Sequence, residues 1–440
     1  MNVWLLTIGE PVPVGAGCHD RLHRTGAFAR YLASNGHRVD WWTSTFDHFR
    51  KEHLTPDDAV VTDIPGLRIR LLRGRGYARN LSVARVLDHA QIARKFASLS
   101  RKEAAPDIVV SALPTVDLCL AAVNYAVPRG VPCILDLRDM WPDIIADAAP
   151  AALRPVARLA LAPLFHQARR ACRRATALTG ITEAFVDWGL RRGGRERSEF
   201  DRAFPFTYSP EVPQPEETHL ADAFWDAQGV CAEARELTLC YFGNMGLQLD
   251  LSHVVEAARQ TFLQRAPVRF VLCGQGERLE EYRKAAAGLP NIQFPGWMNR
   301  ARILALMRRA SIGLDPLPER YDYLATVNNK AVEYISAGLP VLSSPPRGVL
   351  CGLLQRHDCG LSYAAGDAAS LGARLSELAA NPARVRQMGA NASALFAREF
   401  STDSVHPAMA AYLQFVREGC RAKAADRIPG LRRMAPEGSR

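Results

Sequence analysis

Short apolar runs alternate along most of the chain with longer segments that have the periodicity of amphipathic helices. In the first half, VWLLTIG, RVDWWTS, DIVVSAL and PCILDL predict strands, and residues 21–34 and 117–125 predict helices. In the second half, LTLCYFG, VRFVLCG, NIQFPG, SIGLDPL and PVLSS predict strands, with helices starting near Ser252, Arg278, Arg300 and Lys330. Such alternation is typical of parallel sheets with crossover helices, so we predict an α/β protein with two doubly wound, Rossmann-like units.

The Pro- and Glu-rich stretch TYSPEVPQPEET interrupts this alternation at residues 207–218. It offers little apolar surface to bury, so we interpret it as part of a linker. A chain of 440 residues is long enough for two domains with separate cores. We predict an N-terminal domain over 1–206, a linker region over 207–235, a C-terminal domain over 236–397, a helical segment over 398–420 that packs back on the N-terminal domain, and a basic, disordered tail over 421–440.

Composition and cysteine spacing narrow the class of protein. Hydrophobic residues make up 48% and charged residues 23% of the chain, as in ordinary soluble proteins. The run 3–8 lacks the basic lead of a secretory signal, and the run 156–165 is too short to span a bilayer, so we expect a cytoplasmic protein. The 10 cysteines show no CxxC pair and no histidine at metal-binding spacing, which predicts no metal and no disulfide.

The net charge of +10 is unevenly distributed, with six arginines between Arg154 and Arg174 in the stretch RPVARLALAPLFHQARRACRR. A basic amphipathic helix of this kind can lie on an anionic membrane surface. Alternatively, Leu159, Leu161 and Leu164 pack inside while the arginines are solvated or bind nucleic acid. Nucleic acid is disfavoured because no interleaved aromatic residues or reading motif accompany the charge.

The stretch NNKAVEYISAGLPVLS at residues 328–343 carries the most informative chemistry. Lys330 and Glu333 lie three residues apart and share one face of a predicted helix. A lysine near a helix N-terminus suits a diphosphate, and a carboxylate one turn later suits sugar hydroxyls. The alternative is an ordinary surface Lys–Glu pair.

Glycine-bearing loops follow strand after strand. Because ligands of doubly wound sheets bind at the carboxyl ends of the strands, we expect these loops to line a binding cleft. Any single glycine in them can simply close a tight turn. The expected lining segments are 9–17 and the residues after Leu135 in the first unit, and 243–246, 274–277, 296–298 and 315–330 in the second.

The motif DLRDMWPD at residues 136–143 has two interpretations. Arg138 and Asp139 follow a predicted strand and could bind an acceptor phosphate or sugar hydroxyl. They could equally form an ion pair that holds the loop. His19 and His23 lie near the first loop, although a lone histidine is more often structural.

Taken together, these motifs resemble a known family. The series YFGNMGLQLDL, FVLCGQGE, NIQFPGWMN, SIGLDPLP and NKAVEYISAGLPVLSS resembles, in order and spacing, the nucleotide-binding domain of the retaining family-4 glycosyltransferases. GHRVDWWTSTFDH and DLRDMWPD resemble the bacterial branch that builds lipopolysaccharide O-antigen and capsule, including N-acetylfucosamine transferases. The resemblance covers residues 1 to about 415 and implies the GT-B fold, in which two Rossmann-like domains face each other across a cleft, with the acceptor on the N-terminal side.

The resemblance also implies roles for individual residues. Lys330 would hold the donor diphosphate and Glu333 the ribose hydroxyls, while Arg138 and Asp139 are further catalytic candidates. Many members have a second Glu where Ala325 stands here, and some members of the O-antigen branch share this gap. The other positions expected to bind substrate are Gly243, Asn244, Gly246, Gly274, Trp297, Met298 and Asn329, and Gly15 and Gly17 in the N-terminal loop.

The implied activity is retaining, metal-independent transfer of a sugar, an N-acetylated deoxyhexosamine or hexosamine. The donor would be a nucleotide-diphosphate sugar, preferably UDP-linked, with no cofactor, and the acceptor a lipid-linked or lipopolysaccharide glycan. The missing Asp-x-Asp motif agrees with transfer without a metal. We expect peripheral contact with the inner face of the plasma membrane and no nucleic acid partner. The alternatives are a nucleotide-sugar 2-epimerase on the same fold and a non-catalytic nucleotide-sugar-binding scaffold subunit.

Overall fold

The computed structural model describes residues 1–14, 21–80, 82–209, 213–231, 236–246 and 248–425. The chain forms two compact units, Met1–Phe204 with His406–Arg440, and Pro205–Val405. Gly15, Gly17 and His19 lie outside the described residues, as does the tail from 426 onward, so the predictions for them stay predictions.

The first unit is built on an eight-stranded sheet. The strands of this unit are β1 Asn2–Leu6, β2 Arg38–Ser44, β3 Phe46–Asp47, β4 Glu52–His53, β5 Ala59–Ile64, β6 Leu67–Leu72, β7 Ile108–Ala112, β8 Cys133–Leu137, β9 Ala177–Gly180 and β10 Arg202–Ala203, of which β3 and β4 form a separate antiparallel pair. The strand order in the sheet is β10-β9-β8-β7-β1-β2-β6-β5, and all neighbouring strands are parallel except β5 and β6. The helices are α1 Arg24–Ser34, α2 Val83–Leu99, α3 Val116–Ala126, α4 Asp143–Asp147, α5 Arg154–Ala160, α6 Ala162–Arg174 and α7 Glu183–Gly193.

Aromatic side chains fill the centre of the first unit. Trp4 on β1 stacks on Tyr125 at 5.1 Å between ring centroids and lies 5.3 Å from Trp42 on β2. Phe96 of α2 closes the cluster edge-on, 5.2 Å from Trp42. Large rings bury much apolar area per residue, so this cluster joins the central strands to the helices on one face of the sheet.

The second unit contains a six-stranded, wholly parallel sheet. Its strands are β11 Leu237–Asn244, β12 Val268–Gln275, β13 Ile292–Gly296, β14 Ile312–Pro316, β15 Val341–Ser344 and β16 Gly360–Ser362, and their order in the sheet is β13-β12-β11-β14-β15-β16. Its helices are α8 Pro215–Ala227, α9 Ser252–Leu263, α10 Leu279–Ala285, α11 Arg300–Arg309, α12 Tyr321–Leu324, α13 Asn329–Ser336, α14 Val349–His357, α15 Ala368–Ala379 and α16 Pro382–Glu399.

The sheet of the second unit is buried on both faces. Leu239 and Tyr241 of β11 belong to the core on one face, while Cys240 between them belongs to the core on the other. Neighbouring side chains of a strand point to opposite faces, which explains why these strands are continuously apolar. The predicted pair of doubly wound units is confirmed.

The linker prediction was wrong for residues 215–227, which form α8. Trp225 of this helix is fully buried, and its indole N–H donates to the carbonyl oxygen of Arg302 at 2.7 Å. The Pro and Glu residues that suggested a linker are signals of a helix start, because Pro215 is the first helical residue and Gln214 and Glu217 form a capping box.

The last described helix, α17 Thr402–Ala425, contacts the first unit. The hydroxyl of Tyr412 donates to the carbonyl oxygen of Phe200 at 2.7 Å, and Arg417 pairs with Asp107 at 3.0 Å. Among the described residues, no helix has both the length and the apolar character needed to cross a membrane.

Candidate functional site

The carboxyl ends of β11, β12 and β13 surround a cavity of about 870 Å³ in the second unit. Five of the predicted site residues, Gly243, Asn244, Gly274, Trp297 and Met298, line it. The other lining residues are Phe242, Cys273, Gln275, Gly276, Glu277 and Ile303. The sequence prediction that Gly-bearing loops after successive strands come together therefore describes this edge of the sheet well.

The turns after β11 and β12 touch backbone to backbone, which requires glycine. A Cβ on Gly274 would lie 1.9 Å from the carbonyl oxygen of Gly243, and one on Gly276 would lie 2.5 Å from the carbonyl carbon of Met245. The amide of Met245 also donates to the carbonyl oxygen of Gln275 at 2.9 Å. The absence of side chains keeps these turns thin, so a ligand can approach the backbone closely.

Tyr241 supports the first of these turns from below. Its side chain is fully buried, and its hydroxyl donates to the carbonyl oxygen of Asn244 at 2.9 Å. Gly246 completes the turn, where a Cβ would lie 2.8 Å from a carboxylate oxygen of Glu277. The prediction placed Gly246 in this loop, and the structure puts it beside Glu277, a cavity residue at the end of the predicted lining segment 274–277.

Lys330 reaches the end of β11 from helix α13. Its ammonium lies 5.7 Å from the centroid of the Tyr241 ring and 3.4 Å from the point that a Cβ on Gly243 would occupy. β11 and β14 are neighbours, and β12 lies on the other side of β11, so the strand order reverses here. This is the point of a doubly wound sheet where ligands characteristically bind.

Helix α13 has a well-formed N-terminus next to this point. The side-chain oxygen of Asn328 accepts from the amide of Ala331 at 3.0 Å, which caps the helix. Asn329 is the exposed first residue of the helix, and Glu333 lies half-buried one turn after Lys330. Lys330 and Glu333 are not among the residues that line the cavity. Phe242, whose ring lies 5.0 Å from that of Tyr334, connects the cavity to helix α13.

Asp315, at the end of β14, begins the predicted lining segment 315–330 but was not itself predicted as a site residue. Its side chain is fully buried, and its Oδ2 accepts from the side-chain amide of Asn328 at 2.6 Å. Burial raises the pKa of Asp315, while the charge of Lys330 and the hydrogen bond from Asn328 oppose that rise. The signal in the sequence is an acidic residue at the end of an apolar run, SIGLDPL.

In the first unit, Arg138 is held by carboxylates. Its Nε donates to Asp136 at 2.6 Å, and its terminal nitrogen pairs with Glu10. Arg24 pairs with the same Asp136 at 2.9 Å. Burial opposes ionisation of Asp136, but the two guanidinium groups hold its pKa well below its usual range. This geometry favours the ion-pair interpretation of Arg138, with Asp136 and Glu10 as its partners in place of the expected Asp139.

Asp139 follows Arg138 and is half-buried at the carboxyl end of β8. Its Oδ1 accepts from the amide of Met140 at 2.7 Å. Burial lowers the pKa of Arg85, and the charge of Asp139 acts against this. The guanidinium of Arg85 lies 4.6 Å from the ring centroid of the buried Trp141. Asp139 thus sits beside a cation and an aromatic side chain.

The arginine-rich segment forms α5 and α6 and only partly follows the expected packing. Leu164 is buried, whereas Leu159 is 77% exposed, so the alternative in which Leu159 packs inside is wrong. Val156 and Leu153 are also exposed, at 64% and 55%. α5 therefore shows apolar side chains and arginines to solvent.

Two family models match the chain. Residues 23–199 match the glycosyl transferase 4-like domain, and residues 236–381 match glycosyl transferases group 1. The fold and these matches define the class of protein: a glycosyltransferase of the GT-B type. Its first unit carries the glycosyl transferase 4-like domain and its second unit the glycosyl transferases group 1 domain. A comparison with curated proteins finds no match.

Solved structures support the fold. Sucrose-phosphate synthase from Thermosynechococcus elongatus is similar with a TM-score of 0.68 and 15% identity, over 96% of this chain and 99% of that chain. HepE from Anabaena, solved with UDP, is similar with a TM-score of 0.63 and 14% identity, over 94% of this chain and 100% of that chain. WaaG, a glycosyltransferase involved in lipopolysaccharide biosynthesis, is similar with a TM-score of 0.58 and 17% identity, over 98% and 100%.

Proposed function

We propose that this protein is a retaining glycosyltransferase that binds a nucleotide-diphosphate sugar at the carboxyl edge of its second unit. The observation that carries the proposal is the position of Lys330. Its ammonium lies beside Gly243 at the reversal point of the sheet, next to a cavity of about 870 Å³ that glycine turns line.

The donor would extend along this edge. Lys330 and the N-terminus of α13 would hold the diphosphate, since both favour negative charge. Glu333 would accept hydrogen bonds from the ribose hydroxyls. Trp297, which is 64% exposed, and Met298 would flank the base in the cavity. A UDP-linked donor is our preference, which the likeness in fold to HepE supports, since HepE was solved with UDP.

The chemical step would need little covalent chemistry from the protein. The bond between the sugar's anomeric carbon and the diphosphate oxygen breaks, and the acceptor hydroxyl attacks on the same face. Its proton passes to the leaving phosphate oxygen, so the configuration is retained. Lys330 would stabilise the charge that grows on the leaving group, which is worth most at the transition state. The step runs without a metal in this proposal, and the described residues include no group of three or more potential metal ligands.

The alternatives differ in what they consume. A 2-epimerase would convert a UDP-sugar without an acceptor, and the match of both halves to glycosyltransferase models favours transfer instead. A scaffold subunit would bind the donor and release nothing. Ala325, where many relatives have Glu, is the observation behind that alternative, and it is buried at 3% exposure.

We test the donor site by thermal stabilisation with UDP, GDP, UDP-N-acetylhexosamines and NAD, for the wild type, Glu333→Ala and a control, Glu377→Ala. Glu377 is an exposed residue of α15 that pairs with Arg374 on the same helix, away from Glu333 in the sequence. We expect UDP compounds to raise the melting temperature of the wild type and the control, and the rise to shrink in Glu333→Ala. No shift with any nucleotide would contradict the proposal.

The acceptor we propose is a lipid-linked or lipopolysaccharide glycan, reached at the inner face of the plasma membrane. The support is α5 with the residue before it, where the exposed Leu153, Val156 and Leu159 alternate along the chain with Arg154 and Arg158. Apolar side chains that enter the headgroup region, together with arginines that attract anionic lipid, form a peripheral membrane contact. The resemblance to the O-antigen branch supports the same acceptor class and an N-acetylated hexosamine or deoxyhexosamine as the transferred sugar.

Vesicle flotation tests the membrane contact. We expect the wild type to float with vesicles that contain phosphatidylglycerol, and to float less at high salt. The double variant Val156→Ser/Leu159→Ser should float several-fold less than the wild type. Leu220→Ser, which changes an equally exposed leucine of α8, is the control. Equal flotation of all three proteins would contradict the proposed membrane contact and would not bear on the donor site.

A further inference from the structure

Asp315 is a fully buried carboxylate with an incomplete set of partners. Its Oδ2 accepts from the side-chain amide of Asn328 at 2.6 Å. Its Oδ1 is buried and has no hydrogen-bond partner in the part of the chain that the structure describes. A buried anionic oxygen without a donor is costly, so this group stays charged only if something nearby compensates it.

The compensation comes from Lys330. Among the described residues it is the one cation whose charge lowers the pKa of Asp315, although the two side chains form no ion pair within 4 Å. The other titratable groups around Asp315 are tyrosines, and burial raises the pKa of each of them, so they stay neutral. They are Tyr241, Tyr323, Tyr334 and Tyr363.

The same carboxylate also fixes the geometry of Lys330. Asn328 donates one hydrogen bond to Asp315 and caps α13 by accepting another from Ala331 at 3.0 Å. Lys330 lies two residues after this cap, so the end of β14 and the start of α13 are joined through one amide group. A first-turn lysine on a helix anchored in this way has a restricted direction.

We propose that Asp315 is a positioning residue for Lys330, and that it takes up a proton when a diphosphate occupies the site. This inference rests on the proposed donor site. The charge of Lys330 acts on the carboxylate of Asp315, and its ammonium also lies beside Gly243. A bound diphosphate would take the ammonium as its own counter-ion, and Asp315 would then be left as a buried charge without compensation.

Proton uptake resolves this conflict. The proton comes from solvent and binds the Asp315 carboxylate, which becomes a neutral carboxylic acid, and no other bond is made or broken. Oδ1 can bind this proton because it accepts no hydrogen bond from the residues that the structure describes. The neutral acid keeps an oxygen for the amide of Asn328, so the cap of α13 survives the change. Lys330 is then free to direct its whole charge at the diphosphate.

Calorimetric binding of UDP from about pH 6 to about pH 8.5 tests the proposal on the full chain. UDP titrates in this range itself, so the comparison is between proteins at each pH. The variant Asp315→Asn keeps the shape and an acceptor for Asn328 but removes the titrating group. Asp358→Asn, which removes an exposed partner of Arg384, is the matched control.

We expect wild type and Asp358→Asn to lose affinity for UDP on alkalinisation more steeply than Asp315→Asn. At the upper end of the range, Asp315→Asn should bind about tenfold more tightly than the wild type, because an anion close to the diphosphate has been removed. A purely structural Asp315 would give a constant ratio at every pH. Parallel profiles for a folded Asp315→Asn would overturn the inference.

A second measurement covers the case in which Asp315→Asn does not fold. Wild-type titrations with UDP in buffers of different ionisation enthalpy report the protons exchanged on binding. At about pH 8 UDP is already ionised and releases few protons of its own on binding, so we expect net proton uptake at this pH. No uptake, or net release, at this pH would overturn the inference while the donor site stands, whereas no binding of UDP at all would remove the donor site itself.

Discussion

The two units treat a buried carboxylate at the carboxyl edge of their sheets in opposite ways. In the first unit, Asp136 is paired with both Arg24 and Arg138, and Arg138 is paired again with Glu10. In the second, Asp315 has one neutral hydrogen-bond donor, and its nearest cation, Lys330, is half-buried beside the cavity. One carboxylate sits in a closed network of charges and the other in an open one.

The difference separates a structural cluster from a chemical one. Glu10 also accepts from the hydroxyl and the amide of Thr25, at 2.8 and 2.9 Å, so the acids and bases of this cluster leave little capacity for a ligand. In the second unit a cation remains available, and a neighbouring acid is poorly compensated. Charged groups that lack a full set of hydrogen-bond or ion-pair partners are typical of sites where a bound ligand supplies the missing partner.

The largest effect is expected from breaking the network of ion pairs around Asp136 in the first unit. Asp136→Asn removes the shared partner of two buried guanidinium groups, and we expect the first unit to lose about 3–5 kcal/mol of unfolding free energy. Urea unfolding followed by hydrogen exchange in β1 and β8 would measure it. Asp322→Asn, which removes a half-buried partner of the exposed Arg320, should change little. A near-neutral Asp136→Asn would show that the network is not structural.

The next largest effect comes from removing the cation beside Asp315 in the second unit. Lys330→Met removes the ammonium but keeps the length of the side chain, and we expect turnover of the nucleotide-sugar to fall roughly a hundredfold or more. Stability at neutral pH should fall modestly, because Asp315 loses the charge that compensates it, although none of the described residues forms an ion pair with Lys330 within 4 Å. Lys284→Met on the exposed face of α10 is the control, with unchanged turnover. Normal turnover in Lys330→Met would assign the leaving-group contact to another residue.

A smaller effect concerns the thin turns. Gly274→Ala places a methyl group 1.9 Å from the carbonyl oxygen of Gly243, so one turn has to shift. We expect a loss of about 1–3 kcal/mol in stability and weaker binding of UDP, measured by unfolding and calorimetry. Gly352→Ala is the control, since no atom lies within 4 Å of its added Cβ. Helix α14 should be slightly more stable with this alanine.

The sequence predicts the parts of this site that depend on local pattern. Alternating apolar runs predict the strands, Gly clusters predict the turns at their ends, and the spacing of Lys330 and Glu333 predicts a shared helical face. All of these depend on residues a few positions apart. The misinterpretation of residues 215–227 has the same origin, because a proline and two glutamates begin a helix as readily as they fill a linker.

The charge networks could not be predicted in this way. Arg24 and Asp136 are 112 positions apart, and Arg138 and Glu10 are 128 apart, so their pairing depends on the strand order of the sheet. Arg138 therefore looked like a free cation or a partner of its neighbour Asp139. From the sequence, Asp315 is only the last polar residue of a strand. Its contact with Asn328 and its interaction with Lys330 depend on how α13 packs against β14, which the local pattern does not give.

The smallest effect compares the two carboxylates by pH. The pKa of Asp136 is depressed in the folded protein, so its contribution to stability is present above about pH 4 and is lost as the pH falls further. Burial raises the pKa of Asp315. Its contribution to stability is therefore lost as the pH rises above the pKa of an ordinary aspartate, because ionisation of the buried carboxyl works against folding. Hydrogen exchange should therefore show the first unit weakening on acidification and the second gaining. Asp136→Asn should flatten the first trend and Asp315→Asn the second, and trends of the same sign in both units would mean that the two carboxylates are not opposites.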